Sequence, residues 1–406
     1  MYRGGICIVN DKYKDNLQEF AFNRYDVNSH YPARMAESVA LKRPLYKFTP
    51  EEYEKLYYSD EAKNYVFIFK IKSMRGELHD DKIPIFYDIN TKVYTADIIV
   101  ENMDYFIFKE EFEELFEWYD IIYELDCVYA FKLQFDFGYK KFVDDMIELK
   151  NNGKRNHNNT MRYFGKIGAN NGYGKIAERP DKVVSHREIS EETGAVVLKL
   201  DSVDIDEDCL LAVWQAAYIT MRGRVVLMQN IRKACNEDVV NKFLYCDTDS
   251  IHIIGTLDDA DDYELGKFKL EAACKCGKWL APKTYFEIDN DDIIEVHCKG
   301  IPTKVVYQAM LDCKAIEKID DKTYKALNYT HIDCIFARGV KFQCLSSMNI
   351  KGGKALIPLM KELCKFDKDN ITFKFNNDES DELVSVEYQT NEVNDEIKEV
   401  LENGKS

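Results

Sequence analysis

Tyr245-Cys246-Asp247-Thr248-Asp249-Ser250 sets two carboxylates two residues apart, between the apolar runs Phe243-Leu244 and Ile251-His252-Ile253-Ile254. Apolar residues on both sides of a short polar step predict a strand, a tight turn and a returning strand. Two acids crowded to about 4 Å repel by about 4 kcal/mol at an effective dielectric near 20. A bound cation removes that repulsion, and hard cations such as Mg²⁺ take oxygen ligands. The hexapeptide therefore reads as a magnesium site on a β-hairpin. A solvated Asp-rich turn fits it equally well, because Asp and Thr suit turns for their own reasons.

The 406 residues suffice for two or three packed subdomains, and 46% apolar content supports a sizeable core. No run of about 18 apolar residues is present, and Met1-Tyr2-Arg3-Gly4-Gly5 lacks a basic-then-apolar leader, which points to a cytoplasmic protein with no membrane span. Twelve cysteines in such a chain read as reduced intracellular thiols. Cys274-Lys275-Cys276 lacks zinc-knuckle spacing, and no matching pair follows. The net charge of −17 opposes a nucleic-acid partner only if it is spread evenly. It is not. Acid dominates 378–402 and the stretch Glu110 to Glu124, where Phe112, Leu115, Phe116 and Tyr119 predict an amphipathic helix with a solvated acidic face. Lys150, Lys154, Arg155, Arg162, Lys166, Lys175 and Arg179 form a basic segment suited to a phosphate-bearing partner.

Around the hairpin, Glu19 to Val27 reads as a strand carrying Asp26 near its end, with a turn at Pro32 and a helix from about Ala33. Residues 139–176 read as two helices, broken around Asn151-Asn152-Gly153 and Asn156 to Asn159. Val183 to Leu200 reads as a hairpin around Glu192-Thr193-Gly194, Cys209 to Ala234 as a long helix, and Gly352-Gly353 as a late turn. The tail past 378 reads as solubilising.

Two further stretches carry chemistry. In Tyr25-Asp26-Val27-Asn28-Ser29-His30-Tyr31-Pro32, a strand-end carboxylate on a neighbour of the hairpin could complete a two-metal centre for phosphoryl transfer. With such a centre Tyr31 would point into the same pocket, and without one it reads as a packed core aromatic. In Lys166-Ile167-Gly168-Ala169-Asn170-Asn171-Gly172-Tyr173-Gly174-Lys175, helical spacing gathers Lys166, Asn170 and Tyr173 on one face. That face offers a cation for phosphate, an amide, and a ring for a base or sugar. Gly168 and Gly172 either admit a flat ligand or ease helix–helix packing, at a cost of up to about 1 kcal/mol each in helix propensity.

Asp-Val-Asn-Ser-x-Tyr-Pro, Lys-x6-Tyr-Gly-Lys and Tyr-Cys-Asp-Thr-Asp-Ser, in that order, resemble motifs A, B and C of family B DNA polymerases. The resemblance is narrower than the family. Tyr2-Arg3-Gly4-Gly5 resembles the Tyr-x-Gly-Gly linker motif of the protein-primed branch of bacteriophages, adenoviruses and linear plasmids. Thr220-Met221-Arg222-Gly223-Arg224 resembles its Thr-x2-Gly-Arg motif, Lys283-Thr284-Tyr285 its Lys-x-Tyr motif, and Phe142 to Lys150 its fingers helix.

The resemblance implies an α+β right-hand architecture, with a palm whose antiparallel sheet carries the acids, helical fingers, a small thumb and two insertions. Expected segments are palm at 1–44 and 209–290, a priming-protein insertion at 45–135, fingers at 136–177, a strand-displacement insertion at 178–208, thumb at 291–365 and an acidic tail at 366–406. It implies DNA-directed DNA synthesis in viral or mobile-element replication, with two Mg²⁺ ions, replaceable by Mn²⁺. Asp26 and Asp249 would be the catalytic metal ligands, Asp247 an accessory carboxylate, and the Val27 carbonyl a further ligand. Tyr31 would exclude the ribose 2′-hydroxyl. Lys150 and Lys166 would hold the triphosphate, with Lys154 or Arg155 as rivals to Lys150, and Asn170 and Tyr173 would line the nucleotide pocket. Tyr2, Gly4, Gly5, Thr220, Arg224, Lys283 and Tyr285 would contact DNA.

Implied partners are primer–template DNA, dNTPs, a terminal priming protein and a separate exonuclease subunit, since the acidic motifs of a proofreading exonuclease do not occur in the chain. The expectation is of no exonuclease activity. His30 stands where Leu is frequent, and Asn170-Asn171-Gly172 where Asn-Ser is usual. Two alternatives use the same residues: a metal-dependent nuclease, which would need no triphosphate clamp, and a replication subunit inactive without an exonuclease-bearing partner.

Overall fold

In the computed structural model, two strands near the start of the chain, β1 (Cys7–Val9) and β2 (Phe22–Val27), are built into a sheet with strands from its second half. Described residues are 3–37, 40–134, 137–176, 181–189, 196–205, 213–350 and 353–364. Tyr2, Arg179, the turn Glu192-Thr193-Gly194, Gly352 and the acidic tail lie outside them. The chain divides into two units, one drawn from 1–178 and 210–295, the other from 179–209 and 296–406.

In the first unit β2 leads into α1 (His30–Glu37). The helix starts before the expected position. Pro32 lies in its first turn, where a missing N–H costs nothing. Next come β3 (Ala40–Phe48), α2 (Pro50–Tyr57), β4 (Tyr65–Leu78), β5 (Phe86–Asp88), β6 (Val93–Thr95), β7 (Asp97–Val100), β8 (Tyr105–Phe108), α3 (Lys109–Leu115) and β9 (Tyr119–Gln134). Strands β3, β9, β4 and β7 form an antiparallel sheet in that order, with β8 also on β4. The expected acidic helix is therefore short. It ends at Leu115, and the alternating run from Tyr119 joins the sheet as a strand. Its acid face is solvated only in part, with Glu113 exposed. Glu111 and Glu114 are buried, and their cations, Arg224 and Arg232 on a later helix and Arg3 near the start of the chain, lie beyond the reach of any local window.

Helices α4 (Phe137–Arg155) and α5 (Asn159–Ile176) are the two expected helices, and they pack antiparallel. The break falls only at 156–158, where His157 takes φ +51 and Asn158 Oδ1 accepts the Met161 amide at 3.0 Å as an N-cap. Asn151, Asn152 and Gly153 stay helical. Glycine sets the distance between the two helices. A Cβ on Gly165 would lie 2.4 Å from the Lys150 nitrogen, and one on Gly153 would lie 2.3 Å from the Arg162 nitrogen. Gly168 faces Met146, and Gly172 faces Phe142. Of the two readings of Gly168 and Gly172, helix packing is the one realised.

After β10 (Asp181–Ile189) and β11 (Val196–Ile205) come α6 (Val213–Ala234), α7 (Val239–Lys242), β12 (Phe243–Asp247), β13 (Ser250–Ile253), β14 (Phe268–Ala281) and β15 (Thr284–Asp289). Antiparallel pairing gives the spatial order β1-β12-β13-β2-β14-β15. Helix α6 runs through one continuous apolar core. Met221, Val225 and Met228 share it with Phe69, Phe108 and Phe112 of the 40–134 region and with Tyr25 and Ile251 of the main sheet.

Strand β16 (Ile294–Cys298) leads into α8 (Thr303–Asp312), β17 (Ile316–Lys318), β18 (Tyr324–Ala326), α9 (Tyr329–Ile335), β19 (Lys341–Ile350) and β20 (Gly353–Glu362). In the second unit the β10–β11 and β19–β20 hairpins share a sheet of order β11-β10-β19-β20, although the sequence assigns them to separate segments.

Gly165→Ala should force α4 and α5 apart and destabilise the fold by about 1–3 kcal/mol. A reversible denaturant melt checks this. Unchanged stability would mean that the close approach at Gly165 is not what holds the pair.

Candidate active site

The turn between β12 and β13 is held under backbone strain. Thr248, a β-branched residue, takes φ +61, and the Asp249 amide donates to the Asp247 carbonyl at 2.6 Å. This three-residue closure is the rare and unfavourable kind. Two contacts outside the hairpin fix it. The Thr248 amide donates to the Ile6 carbonyl at 2.7 Å. Gly5 lies against Thr248 so closely that a Cβ would meet its side chain at 2.7 Å.

Pairing of β2 with β13 then brings the two motif acids together. Asp26 is the register partner of Ser250, and the Val27 amide donates to the Asp249 carbonyl at 2.8 Å. Burial, then the Asp249 carboxylate, push the Asp26 carboxyl up to about 7. Burial, then Asp247, raise Asp249. Neither acid is ion-paired among the described residues. Lys269, across from Asp26, is paired with Glu271. Asp247 differs. Lys283 Nζ sits 2.6 and 2.8 Å from its two oxygens.

Asp26 and Asp249 are therefore crowded, half-buried acids whose mutual repulsion a divalent cation would relieve, and an all-oxygen donor pair suits Mg²⁺. No cluster of three or more His, Cys, Asp or Glu side chains able to hold a metal occurs among the described residues.

The other expected residues fall into three groups. Tyr31 and Tyr173 stack, with centroids 4.7 Å apart. Lys150 donates to Ser29 Oγ at 2.9 Å, beside motif A. Burial, followed by Lys166, Lys269, Arg162 and Lys154, lowers the pKa of Lys150. Its rival Lys154 instead lies over the Tyr263 ring at 4.5 Å. Lys166 and Asn170 are exposed on α5. Lys283 and Tyr285 flank the acids, with the Lys283 amide on Tyr245 Oη at 3.0 Å and the Tyr285 ring 5.0 Å from that of Tyr245.

Thr220 and Arg224 are placed differently from residues that contact a ligand. The Thr220 hydroxyl is buried and donates back to the Ala216 and Ala217 carbonyls. Arg224 is 1% exposed and ion-paired with Glu111. Its Nη1 donates to the carbonyls of Arg3 and Gly4 at 2.8 and 3.2 Å. Burial alone would raise the pKa of Glu111, but the guanidinia of Arg224 and Arg3 hold it down to about 2.

Sequence reading had no signal for Glu111; it marked Gly223 as the glycine of the Thr-x2-Gly-Arg motif but not its packing role, for a Cβ there would lie 2.7 Å from His30 Nε2 and 3.3 Å from the Tyr31 ring. Burial and then Arg34 lower His30 to about 3, so it is neutral and can fill the site as a Leu would. Beneath the acids, Glu287 is buried between Arg24 at 2.9 Å and His252 Nδ1 at 2.5 Å.

The raised Asp26 pKa fixes the sign of a pH effect. Between its ordinary 3.8 and about 7, the folded chain keeps a proton that the unfolded chain has lost. Folding is therefore weakened as pH rises through that window, and the penalty is complete above it. Metal-free protein should melt lower at about pH 8 than at about pH 5. Added Mg²⁺ or Mn²⁺ should raise the melting temperature more at the higher pH, and Asp26→Asn should flatten both responses. Scanning fluorimetry at constant ionic strength reads all three. A metal shift that survives Asp26→Asn would remove Asp26 from the site.

A family model described as DNA polymerase type B, organellar and viral, matches residues 1–256. The DNA polymerases of Bacillus phages PZA and phi29 are each 25% identical over 382 residues, a match covering 88% of this chain and 60% of theirs. The chain thus spans about 60% of the length of these relatives. The solved structure of phi29 DNA polymerase complexed with primer-template DNA and incoming nucleotide substrates superposes with a TM-score of 0.69 at 23% identity, covering 89% of this chain and 61% of that one. That likeness establishes the mixed α+β fold. With the family model spanning more than half of its residues, this chain belongs to the type B DNA polymerases of organelles and viruses.

Proposed function

We propose that this chain is a DNA-directed DNA polymerase that adds dNTPs to a primer 3′-hydroxyl, in viral or mobile-element replication of the protein-primed kind. The observation that carries this reading is the pair Asp26 and Asp249, half-buried, mutually repelling and without a cationic partner among the described residues, beside a group of lysines. In the reaction, the primer hydroxyl attacks the α-phosphate in line and pyrophosphate leaves. Asp26, Asp249 and the Val27 carbonyl would hold the metals. Two bound Mg²⁺ ions would supply activation of the attacking hydroxyl and neutralisation of charge on the phosphates.

The remaining work falls to the chain's own groups. Lys150 and Lys166 clamp the triphosphate. Their positive charges converge already in the free protein, and the lowered pKa of Lys150 is what anion binding would relieve. Tyr31, stacked on Tyr173, bounds the sugar and base pocket, with Asn170 on the same helix face. Lys283 holds Asp247 and so leaves Asp249 as the metal ligand, while Tyr285 steadies the primer end. Gly4 and Gly5 line the path of the DNA. Thr220 and Arg224 serve DNA indirectly, through the backbone that Arg224 holds. Contacts to phosphate would dominate, with little sequence preference and strong salt dependence. A terminal protein and an exonuclease on another chain are partners of the same reading, in a cytoplasmic setting. Among the described residues, no helix is long and apolar enough to cross a membrane.

A primer-extension assay tests the proposal. Wild type should extend, and Asp249→Asn should lose at least about a thousand-fold in rate, equivalent to about 4 kcal/mol of transition-state stabilisation. Equal extension by both would sink the site assignment. Cleavage without nucleotides would favour a nuclease. A folded chain that extends only when an exonuclease-bearing partner is added would favour the dependent subunit.

A further inference from the structure

Residues 3–6 run between α3 and the strained turn, and every step of that path is a hydrogen bond or a steric stop. Arg224 Nε and Nη2 donate to the two oxygens of Glu111, both at 2.7 Å. This fork-to-fork geometry fixes the plane of the guanidinium. Its third nitrogen holds the carbonyls of Arg3 and Gly4. Arg3 closes the loop by returning its own guanidinium to Glu111 Oε1 at 2.8 Å. The next two residues meet the turn: Gly5 abuts Thr248, and the Ile6 carbonyl accepts the Thr248 amide. Without the Glu111 carboxylate, a buried guanidinium keeps its charge and loses its counter-ion, and it must leave the interior or gather new acceptors. Either outcome frees the carbonyls that it holds.

We propose that Glu111, contributed by the helix between β8 and β9, is a positioning residue for the catalytic acids: it holds Arg224, Arg224 holds residues 3 and 4, and residues 5 and 6 hold Thr248 and with it Asp247 and Asp249. The 40–134 region thereby sets the geometry of the acids without touching them. Only the activity arm of the test rests on the polymerase reading.

A neighbouring pair supplies the control. Glu114, also buried on α3, binds Arg232 of α6 at 3.0 Å and reaches neither residues 3–6 nor the turn. Hydrogen exchange of the 243–254 segment reads the Thr248 amide directly. Glu111→Gln should speed its exchange about ten-fold or more relative to wild type, and Glu114→Gln should leave it unchanged. In primer extension, Glu111→Gln should lower kcat and raise the Mg²⁺ concentration needed for half-maximal rate, with partial recovery in Glu111→Asp. Unaltered turn exchange in folded Glu111→Gln, or equal acceleration in both Gln variants, overturns the proposal. Should Glu111→Gln fail to fold, Gly5→Ala breaks the path below Arg224, and the same acceleration is expected there; its absence also overturns the proposal. A wild type that extends no primer would remove the polymerase reading but leave the exchange comparison standing.

Discussion

Asp26 and Asp249 are forced together by backbone pairing that cannot yield to their repulsion. The β2–β13 register and the Val27–Asp249 hydrogen bond fix where both carboxylates sit before any ligand arrives. The consequence is written in Asp26, whose carboxyl is held up to about 7. A fold that keeps two acids in this state gives up some of its own stability, which a bound cation would restore. Much of the surrounding structure keeps that arrangement from relaxing. Lys283 occupies Asp247, Gly5 and Ile6 brace Thr248, and the core through α6 joins the main sheet to the 40–134 region.

Charge elsewhere in the first unit is treated in the opposite way. Glu111 lies between Arg224 and Arg3, Glu114 beside Arg232, and Glu287 between Arg24 and His252. Each buried acid has its cation, as low-dielectric surroundings demand. Against that background, Asp26 and Asp249, which have no cation among the described residues, stand out as the place where stability is given up, the pattern of a functional site.

Glycine supplies the other recurring constraint. At Gly153 and Gly165 it lets α4 and α5 approach until backbone meets backbone, which brings Lys150 and Lys166 close. At Gly223 it lets α6 accept His30 and Tyr31, and at Gly5 it lets the chain lie on Thr248. A methyl group would press on Lys150 at Gly165, on His30 and Tyr31 at Gly223 and on Thr248 at Gly5, so at these three positions it would disturb the candidate site rather than merely loosen the core.

The sequence by itself determined what depends on neighbours along the chain. Apolar runs on both sides of Asp247-Thr248-Asp249 specified the hairpin, helical spacing put Lys166, Asn170 and Tyr173 on one face, and ordered motifs marked the acids. Where only local pattern was available, the reading of 110–124 extended a helix into what is a strand, and it gave Glu111 and Glu114 to solvent. The tertiary structure decided which acids are neutralised and which are not, that Arg224 is an internal clamp, that Gly168 and Gly172 serve packing, and that the β10–β11 and β19–β20 hairpins share a sheet. The physical reason is common to all of these. Burial, a charge's counter-ion and the clearance around a glycine are set by residues distant in the chain, and local periodicity carries no information about them.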